Sequence, residues 1–372
     1  MTPVLETQSC ISTLSDQVPS KCRAQPEVES GVKGDRSPKS STNSNGISRT
    51  IQESATPSLP RETSRSDGAS SPLDSSTASS LATSATAAIQ SIKGTIYPAS
   101  GTFKGVSVAE EMNPLRRSTM EDVHRVLPVF DGDACMSFVG IYDGHGGRDI
   151  VDFLATELEK NVARELKVED GASVPERLER AYLLTDVQSR QAELMGSGAT
   201  AVTCLIKARR EGEGEGAGET VREIYTANVG DSRAVLCHQG KGMRLTYDHK
   251  AEDKGEQARI EAAGGFVLRS RVLGILAVTR SFGDHRMKDY VIGVPYTSTT
   301  IVEDSTPEES PFLILACDGV WDVLSDDEAV GLVRGQWERE GRRPEVDAAG
   351  LLVQEAMRRG SSDNITCIVV LL

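Results

Sequence analysis

Residues 136–150, MSFVGIYDGHGGRDI, join an apolar run to a turn in which three glycines surround Asp143 and His145. The apolar run predicts a buried β-strand, because it is short and bounded by glycines. The turn allows three interpretations: a glycine loop that cradles phosphate, a metal site, or a tight turn with polar side chains. No GK[ST] follows and the next helix begins with an acid, so phosphate binding by backbone amides is disfavoured.

The same alternation of short strands and helices recurs from residue 97 to the C-terminus. Strand-like runs lie at 135–142, 200–208, 222–229, 233–239, 311–317 and 365–372. Helical patterns lie at 149–167, 174–195, 256–265, 326–340 and 346–360. Residues 211–219, EGEGEGAGE, join two strands as an exposed hairpin. Short strands joined by turns, with helices arriving in pairs, indicate an α+β fold with largely antiparallel sheets and one large core.

The first 96 residues have a different composition. They contain no Phe, Trp or Tyr and are dominated by Ser, Thr, Pro and Ala. Such a segment buries too little apolar surface to offset its loss of chain entropy, so we expect a disordered tail with a helical turn near 81–91. The tail has nine Lys/Arg and nine Asp/Glu, so the net charge of −14 belongs to residues 97–372. An acidic globular part disfavours nucleic-acid binding.

Composition also limits the location of the protein. No run of 18 apolar residues and no cleavable N-terminal apolar stretch is present, so neither a membrane span nor a secretory signal is expected. The seven cysteines show no CxxC or zinc-like spacing. Reduced thiols in a protein of the cytoplasm, the nucleus or both are therefore expected.

Acidic residues recur at the ends of the predicted strands. Asp143 and Asp318 each follow an apolar run, Asp231 lies in a turn between two strands, and Asp363 precedes the last strand. Each Asp-Gly alone is typical of an ordinary turn. In an antiparallel sheet, however, the end of one strand lies beside the start of the next, so Asp143, Asp318 and Asp363 are expected to converge. Gathered carboxylates repel unless a cation is present, and ligands that are all oxygen favour Mg²⁺ or Mn²⁺.

The upstream stretch RRSTMEDVHRV, residues 116–126, supplies further groups of this kind. Glu121 and Asp122 add carboxylates, and Arg117 offers a planar fork for phosphate oxygens. Asp122 is expected to bind waters or to orient His145 or His124. The alternative for this segment is a solvated charged loop.

Eight stretches in order carry a resemblance to a known family: TMEDVH, YDGHGG, SGATA, ANVGDSRAV, LTYDHK, AVTRSFGD, LACDGVWDV and SSDNITCIVV. From about residue 100 to the C-terminus the chain resembles the metal-dependent type 2C (PPM) Ser/Thr protein phosphatases. The phrasing AVTRSFGDHRMKDYVIGVPYT is most similar to small fungal members linked to stress-kinase signalling. The sequence departs from the family pattern at Ala199 and Ala251, neither of which is an expected ligand.

The resemblance implies a fold and a metal site. The fold would be a central antiparallel β-sandwich flanked by helices on both faces, a four-layer αββα arrangement that forms a catalytic domain over residues 97–372. Asp143 would bridge two Mn²⁺ or Mg²⁺ ions, one of which the carbonyl of Gly144 would bind. Three acids would complete the site: Glu121, Asp318 and Asp363. Two more, Asp231 and Asp322, would hold a weaker third ion together with Asp318.

The resemblance also implies the reaction. Arg117 would hold the substrate phosphate, and His145 would protonate the leaving Ser or Thr oxygen. Substrates would be phosphorylated proteins, MAP kinases among them, hydrolysed by a monomer that binds neither nucleic acid nor membrane. Arg269, Arg271 and Arg280 would lie in a mobile flap beside the site, either selecting substrates or acting as ordinary surface charges. Two alternatives remain open at this point: a catalytically dead scaffold that binds phosphoproteins, and another two-metal hydrolase such as a nuclease.

Overall fold

The computed structural model describes residues 94–211, 219–303, 311–341, 343 and 346–372. Its strands are β1 Thr95–Tyr97, β2 Gly105–Glu111, β3 Asp122–Leu127, β4 Met136–His145, β5 Gly198–Glu211, β6 Glu219–Val229, β7 Arg233–His238, β8 Lys241–Arg244, β9 Phe282–Gly283, β10 Tyr296–Glu303, β11 Phe312–Ala316 and β12 Ile365–Leu371. Its helices are α1 Asp149–Leu166, α2 Val174–Gln191, α3 Lys254–Ala262, α4 Asp318–Trp321, α5 Asp326–Glu340 and α6 Ala348–Arg358, with a 3-10 turn at His285–Met287. The helical turn expected near 81–91 lies outside the described residues.

The strands form two antiparallel sheets. The first sheet has the order β1-β2-β12-β11-β7-β8. The second has the order β10-β6-β5-β4-β3, with β9 paired to β5. The predicted α+β class with antiparallel sheets is confirmed.

The two sheets pack face to face around a shared core. In β11, Leu313 and Leu315 point into this core, where they join Val139 and Ile141 of β4. The alternate residues of β11 point to the opposite face of the first sheet. Because both faces of this strand are buried, its sequence is a continuous apolar run rather than an alternating one.

Helices cover both outer faces. On the first sheet, α5 and α6 bury side chains that include Trp337 and Leu352. On the second sheet, α1 and α2 bury side chains that include Leu154, Leu158 and Tyr182. The four-layer αββα arrangement implied by the resemblance is therefore the one observed.

Local capping chemistry fixes where several helices begin. Ser173 and Glu176 form a capping box at the start of α2, and Ser325 and Glu328 form another at the start of α5. The predicted helix at 326–340 has the observed bounds. The predicted helix at 174–195 ends early, at Gln191. The helix predicted at 256–265 instead runs from Lys254 to Ala262.

The two strands that flank the acidic hairpin are longer than predicted. Strands β5 and β6 continue beyond the predicted 200–208 and 222–229 and remain paired as far as Glu211 and Glu219. Only 212–218 of the predicted hairpin falls outside the described residues. Among the helices in the described part of the chain, none is long and apolar enough to cross a bilayer.

Candidate active site

Strand ends from both sheets bring acidic residues to one edge of the sandwich. In the second sheet, Asp122 of β3 lies directly opposite Asp143 of β4. In the first sheet, Asp318 follows β11 and Asp363 precedes β12, and these two strands pair with each other. Asp231 lies just before β7, whose first residue pairs with the last residue of β11. The predicted convergence of Asp143, Asp318 and Asp363 is therefore observed.

The pKa of Asp143 shows the electrostatic effect of bringing these carboxylates together. Burial raises the pKa of its carboxyl well above the usual range, and the negative charges of neighbouring acids raise it further. Those neighbours are Asp122, Asp318, Asp231 and Asp363. The strand also runs further than predicted, to His145, so Asp143 is held inside a hydrogen-bonded strand rather than after its end.

Asp122 is buried beside Asp143 and is tied to the first sheet. Its Oδ2 accepts a hydrogen bond from Thr366 Oγ1 at 2.7 Å. The expectation that Asp122 orients His145 or His124 is wrong. His124 Nδ1 lies 2.5 Å from Glu110 Oε1, and His145 is paired with Asp284.

The donor set fits a hard divalent cation. Among the described residues, Asp122 Oδ1 and Asp318 Oδ1 are buried without a hydrogen-bond partner, a costly arrangement for carboxylate oxygens. Atoms of Asp122, Asp143 and Cys317 lie within 4.8 Å of one another. Burial, followed by the adjacent carboxylates, raises the pKa of the Cys317 thiol well above its usual range, so it stays protonated. The ligands that remain are oxygens, which Mg²⁺ and Mn²⁺ prefer.

Glu121 and Gly144 meet at the backbone. Gly144 N–H donates to Glu121 O at 3.2 Å. A Cβ at position 144 would lie 2.6 Å from that same oxygen, so only glycine allows the two chain segments to approach this closely. The Glu121 carboxylate accepts hydrogen bonds from Thr119 Oγ1 at 3.0 Å and Gly147 N–H at 3.2 Å. These contacts orient the Glu121 carboxylate toward the turn after β4.

Arg117 is half exposed and pairs directly with Asp363. Its Nε donates to Ser362 O at 3.2 Å. Asn364 Nδ2 donates to Thr119 O at 2.9 Å and so ties the loop that carries Arg117 to the start of β12. The expected phosphate ligand and an expected metal ligand are thus neighbours at the rim of the acidic cluster.

Asp231 is buried and Asp322 is exposed. Lys250 lies between them, with its Nζ 3.5 Å from Asp231 Oδ2 and 2.8 Å from Asp322 Oδ1. The positions expected to hold a third ion therefore share a lysine ammonium in this structure.

His145 pairs with Asp284, which was not among the residues predicted to form the site. Its Nε2 lies 2.9 Å from Asp284 Oδ2 and 3.0 Å from Oδ1. The only sequence signal was that Asp284 ends the AVTRSFGD stretch.

The three arginines of the expected flap differ in environment. Arg269 and Arg271 are exposed. Arg280 is mostly buried, and its guanidinium donates to Glu256 Oε1 at 2.7 Å and Oε2 at 3.1 Å. Arg280 therefore holds α3 in place and is not an ordinary surface charge.

An αββα sandwich with an oxygen-rich acidic edge, and with an arginine and a histidine at its rim, fits the class of metal-dependent hydrolases. The sequence model of the family described as "Protein phosphatase 2C" matches residues 107–365. The chain belongs to this family, and it is a metal-dependent protein serine/threonine phosphatase.

Curated relatives agree with this membership, and a solved structure shares the fold. The chain is 36% identical over 271 residues to "Protein phosphatase 2C homolog 1" of Saccharomyces cerevisiae, covering 72% of this chain and 93% of the relative. It is 38% identical over 264 residues to the protein of the same name in Schizosaccharomyces pombe, covering 70% and 71%. The fold is shared with a crystal structure of a phosphatase from Toxoplasma gondii, with a TM-score of 0.61 and 24% identity over 75% of this chain and 96% of that one.

Proposed function

We propose that the chain hydrolyses phosphoserine and phosphothreonine on proteins at a dinuclear Mn²⁺ or Mg²⁺ centre. The observation that carries the proposal is the convergence of buried carboxylates with partnerless oxygens at one sandwich edge. The residues that would hold the ions are Glu121, Asp143, the carbonyl of Gly144, Asp318 and Asp363. When bound, the ions supply an activated water and neutralise phosphoryl oxygens.

The residues of the chain provide the remaining chemistry. Arg117 lies at the exposed rim, where its fork can bind two oxygens of the incoming phosphate. His145 also faces the rim and is one-third exposed. It donates a proton to the Ser or Thr oxygen as the phosphorus–oxygen bond breaks, because an alkoxide is a poor leaving group.

Metal-dependent release of phosphate tests this function. Full-length protein with Mn²⁺ or Mg²⁺ should release phosphate from a phosphothreonine peptide, and EDTA should abolish the release. Asp143→Asn and Asp318→Asn should lose about 10²-fold or more in kcat/KM. Glu338→Gln, an exposed carboxylate on α5, should match wild type. Retained activity in the two Asn variants would refute the ligand assignment, and metal binding without turnover would favour a phosphoprotein-binding scaffold.

We propose phosphorylated MAP kinases as one substrate class, and a monomer of the cytoplasm, the nucleus or both as the working form. The support is the likeness of residues 277–297 to small fungal members linked to stress-kinase signalling. A doubly phosphorylated MAP kinase should lose its phosphothreonine and keep its phosphotyrosine when treated with the protein. Loss of both phosphates, or of neither, would contradict this assignment. Sedimentation should give a single species at the monomer mass of 39.9 kDa.

A further inference from the structure

The carboxylate of Asp284 contacts the ring of His145 at Nε2. The histidine is the last residue of β4, and the aspartate follows β9. Both Asp284 oxygens lie within 3.0 Å of His145 Nε2. The two residues are 139 positions apart in sequence, so this contact exists only because β4 and β9 both pair with β5.

A glycine on β5 makes room for this contact. Gly198 pairs with His145 on one side and with Gly283 on the other. A Cβ at position 198 would overlap both Asp284 Oδ2 and His145 Nε2. Any other residue at this position would push the two side chains apart, so the sequence at 198 is matched to the His–Asp pair.

Asp284 itself is held in a constrained conformation. Its backbone is left-handed, with φ 46° and ψ 35°, a region that non-glycine residues seldom adopt. Its N–H donates to Ser197 O at 3.1 Å, and Ser281 Oγ donates to its Oδ2 at 2.5 Å. The Asp284 side chain is 11% exposed, against 33% for His145. Backbone strain of this kind, fixed by surrounding contacts, is typical of functional sites.

The Asp284 carboxyl also remains ionised. Burial opposes ionisation of Asp284, but hydrogen bonding with His145 and Ser281 and the positive charge of Lys288 hold the pKa of its carboxyl below the usual range. A carboxylate accepts hydrogen bonds and donates none, so the proton on His145 Nε2 faces Asp284. The other ring nitrogen, Nδ1, is then the one that can donate to a substrate.

We propose that Asp284 is a positioning residue for His145, fixing the ring so that Nδ1–H faces the leaving oxygen of the substrate. As the phosphorus–oxygen bond breaks, that oxygen takes the Nδ1 proton, and the bonding electrons of Nδ1–H remain on the ring. The imidazole is left neutral, with Nε2–H still donating to Asp284, and solvent returns the proton. This inference rests on the proposed role of His145 as general acid. In this proposal, Asp284 contacts neither the substrate nor the metal ligands.

Substrates with different leaving groups provide the test. A phosphothreonine peptide releases an alkoxide and needs the proton, whereas p-nitrophenyl phosphate releases a stable phenolate and does not. In the full-length protein with Mn²⁺, Asp284→Gly should lower kcat on the peptide about 10- to 100-fold and leave kcat on p-nitrophenyl phosphate within about threefold. Glycine accepts the left-handed backbone, so the turn should persist.

Three further variants separate positioning from a structural role. Asp284→Asn retains an acceptor and tolerates the left-handed backbone, so its loss on the peptide should be smaller than that of Asp284→Gly. His145→Gln should show the same dependence on leaving group. The double variant His145→Gln with Asp284→Gly should be no slower than His145→Gln alone, because Asp284 acts only through the histidine. Mn²⁺ affinity should be unchanged in all of them.

The outcomes distinguish this proposal from the proposed function. Equal losses on both substrates in Asp284→Gly, or a double variant slower by the product of the single effects, would overturn the positioning role and leave His145 as the acid. If His145→Gln itself loses activity equally on both substrates, the general-acid assignment is wrong and the role of Asp284 is refuted with it. If Asp284→Gly and His145→Gln each lose activity on the peptide alone, the result supports both the positioning role of Asp284 and the general-acid role of His145.

Discussion

Lys250 forms an ion pair with Asp322, with 2.8 Å between Nζ and Oδ1. The same Nζ is 3.5 Å from Asp231 Oδ2. Burial of the ammonium opposes its charge, but Asp231 and Asp322, together with Asp318, raise the pKa of Lys250 above its usual range. A fixed positive charge therefore lies among the three acids that the family resemblance assigns to a weak third ion.

We expect this ammonium to compete with a third cation. Replacing Lys250 by Met should strengthen binding of a third Mn²⁺ about 10-fold, which corresponds to about 1.4 kcal/mol. Titration calorimetry of the full-length protein should show two ions in wild type and three in Lys250→Met at the same Mn²⁺ concentration. Lys250→Arg, which keeps the charge, is the matched control and should behave as wild type. Equal stoichiometry in wild type and Lys250→Met would contradict the competition.

We expect the acidic cluster to lower the stability of the metal-free protein. Because neighbouring carboxylates and burial raise the pKa of Asp143, its charged form destabilises the fold at neutral pH. In EDTA at pH 7.5, Asp143→Asn should therefore unfold at a higher temperature than wild type, by about 2–4 °C for each kcal/mol of repulsion removed. With saturating Mn²⁺ the order should reverse, because the wild type gains binding free energy that the variant lacks.

Thermal melts with and without metal measure this reversal in the order of melting temperatures directly. Glu338→Gln also removes one negative charge, but from an exposed position on α5. Its melting temperature should follow wild type under both conditions. If Asp143→Asn is less stable than wild type in EDTA as well, the carboxylate is stabilising and the repulsion argument fails.

Much of this site was predictable because strand ends are local features. Asp143 and Asp318 follow apolar runs, and antiparallel pairing alone brings such ends together. The contact between His145 and Asp284 was not predictable, since nothing in SFGD indicates a partner 139 residues away. It depends on how two short strand segments align on β5, which pairing geometry decides and local composition does not.

The same reasoning accounts for the strands that sequence patterns missed. The β10 segment YTSTTIVE is polar because β10 is an edge strand that pairs only with β6 among the described strands. Such a strand lacks the apolar run that marks buried strands such as β11 and β12. Its β-branched and aromatic residues suit a strand, and pairing with β6 supplies the hydrogen bonds of its ladder.

Gly144 should tolerate no side chain. The added Cβ in Gly144→Ala would lie 2.6 Å from Glu121 O and 2.9 Å from Val151 Cγ1, so β4 or the Glu121 backbone must shift. We expect a loss of about 1–3 kcal/mol in unfolding free energy and weaker Mn²⁺ binding. Gly331→Ala is the control, because nothing lies within 4 Å of a Cβ there and alanine favours the helix. Urea unfolding should show Gly331→Ala at or above wild type, and a fully stable, metal-binding Gly144→Ala would contradict the close approach.

His249 should make the fold sensitive to mild acid. It is buried, and its Nδ1 lies 3.2 Å from Gly230 O. Burial first, and then the positive charge of Arg280, lower its pKa from 6.5 to about 3. The unfolded chain therefore takes up a proton near pH 6.5 that the folded chain refuses. Stability from this residue is complete above pH 6.5 and is lost as the pH falls toward 3.

Between pH 7.5 and pH 5.0 the loss from His249 should amount to about 2 kcal/mol, since each unit below 6.5 costs about 1.4 kcal/mol. Urea unfolding in EDTA at the two pH values measures it without a contribution from metal binding. His249→Gln keeps an N–H donor for Gly230 O but does not titrate, so its unfolding free energy should fall by about 2 kcal/mol less than that of wild type over the same interval. Equal losses in the two proteins would show that His249 takes up its proton as readily in the folded chain as in the unfolded one.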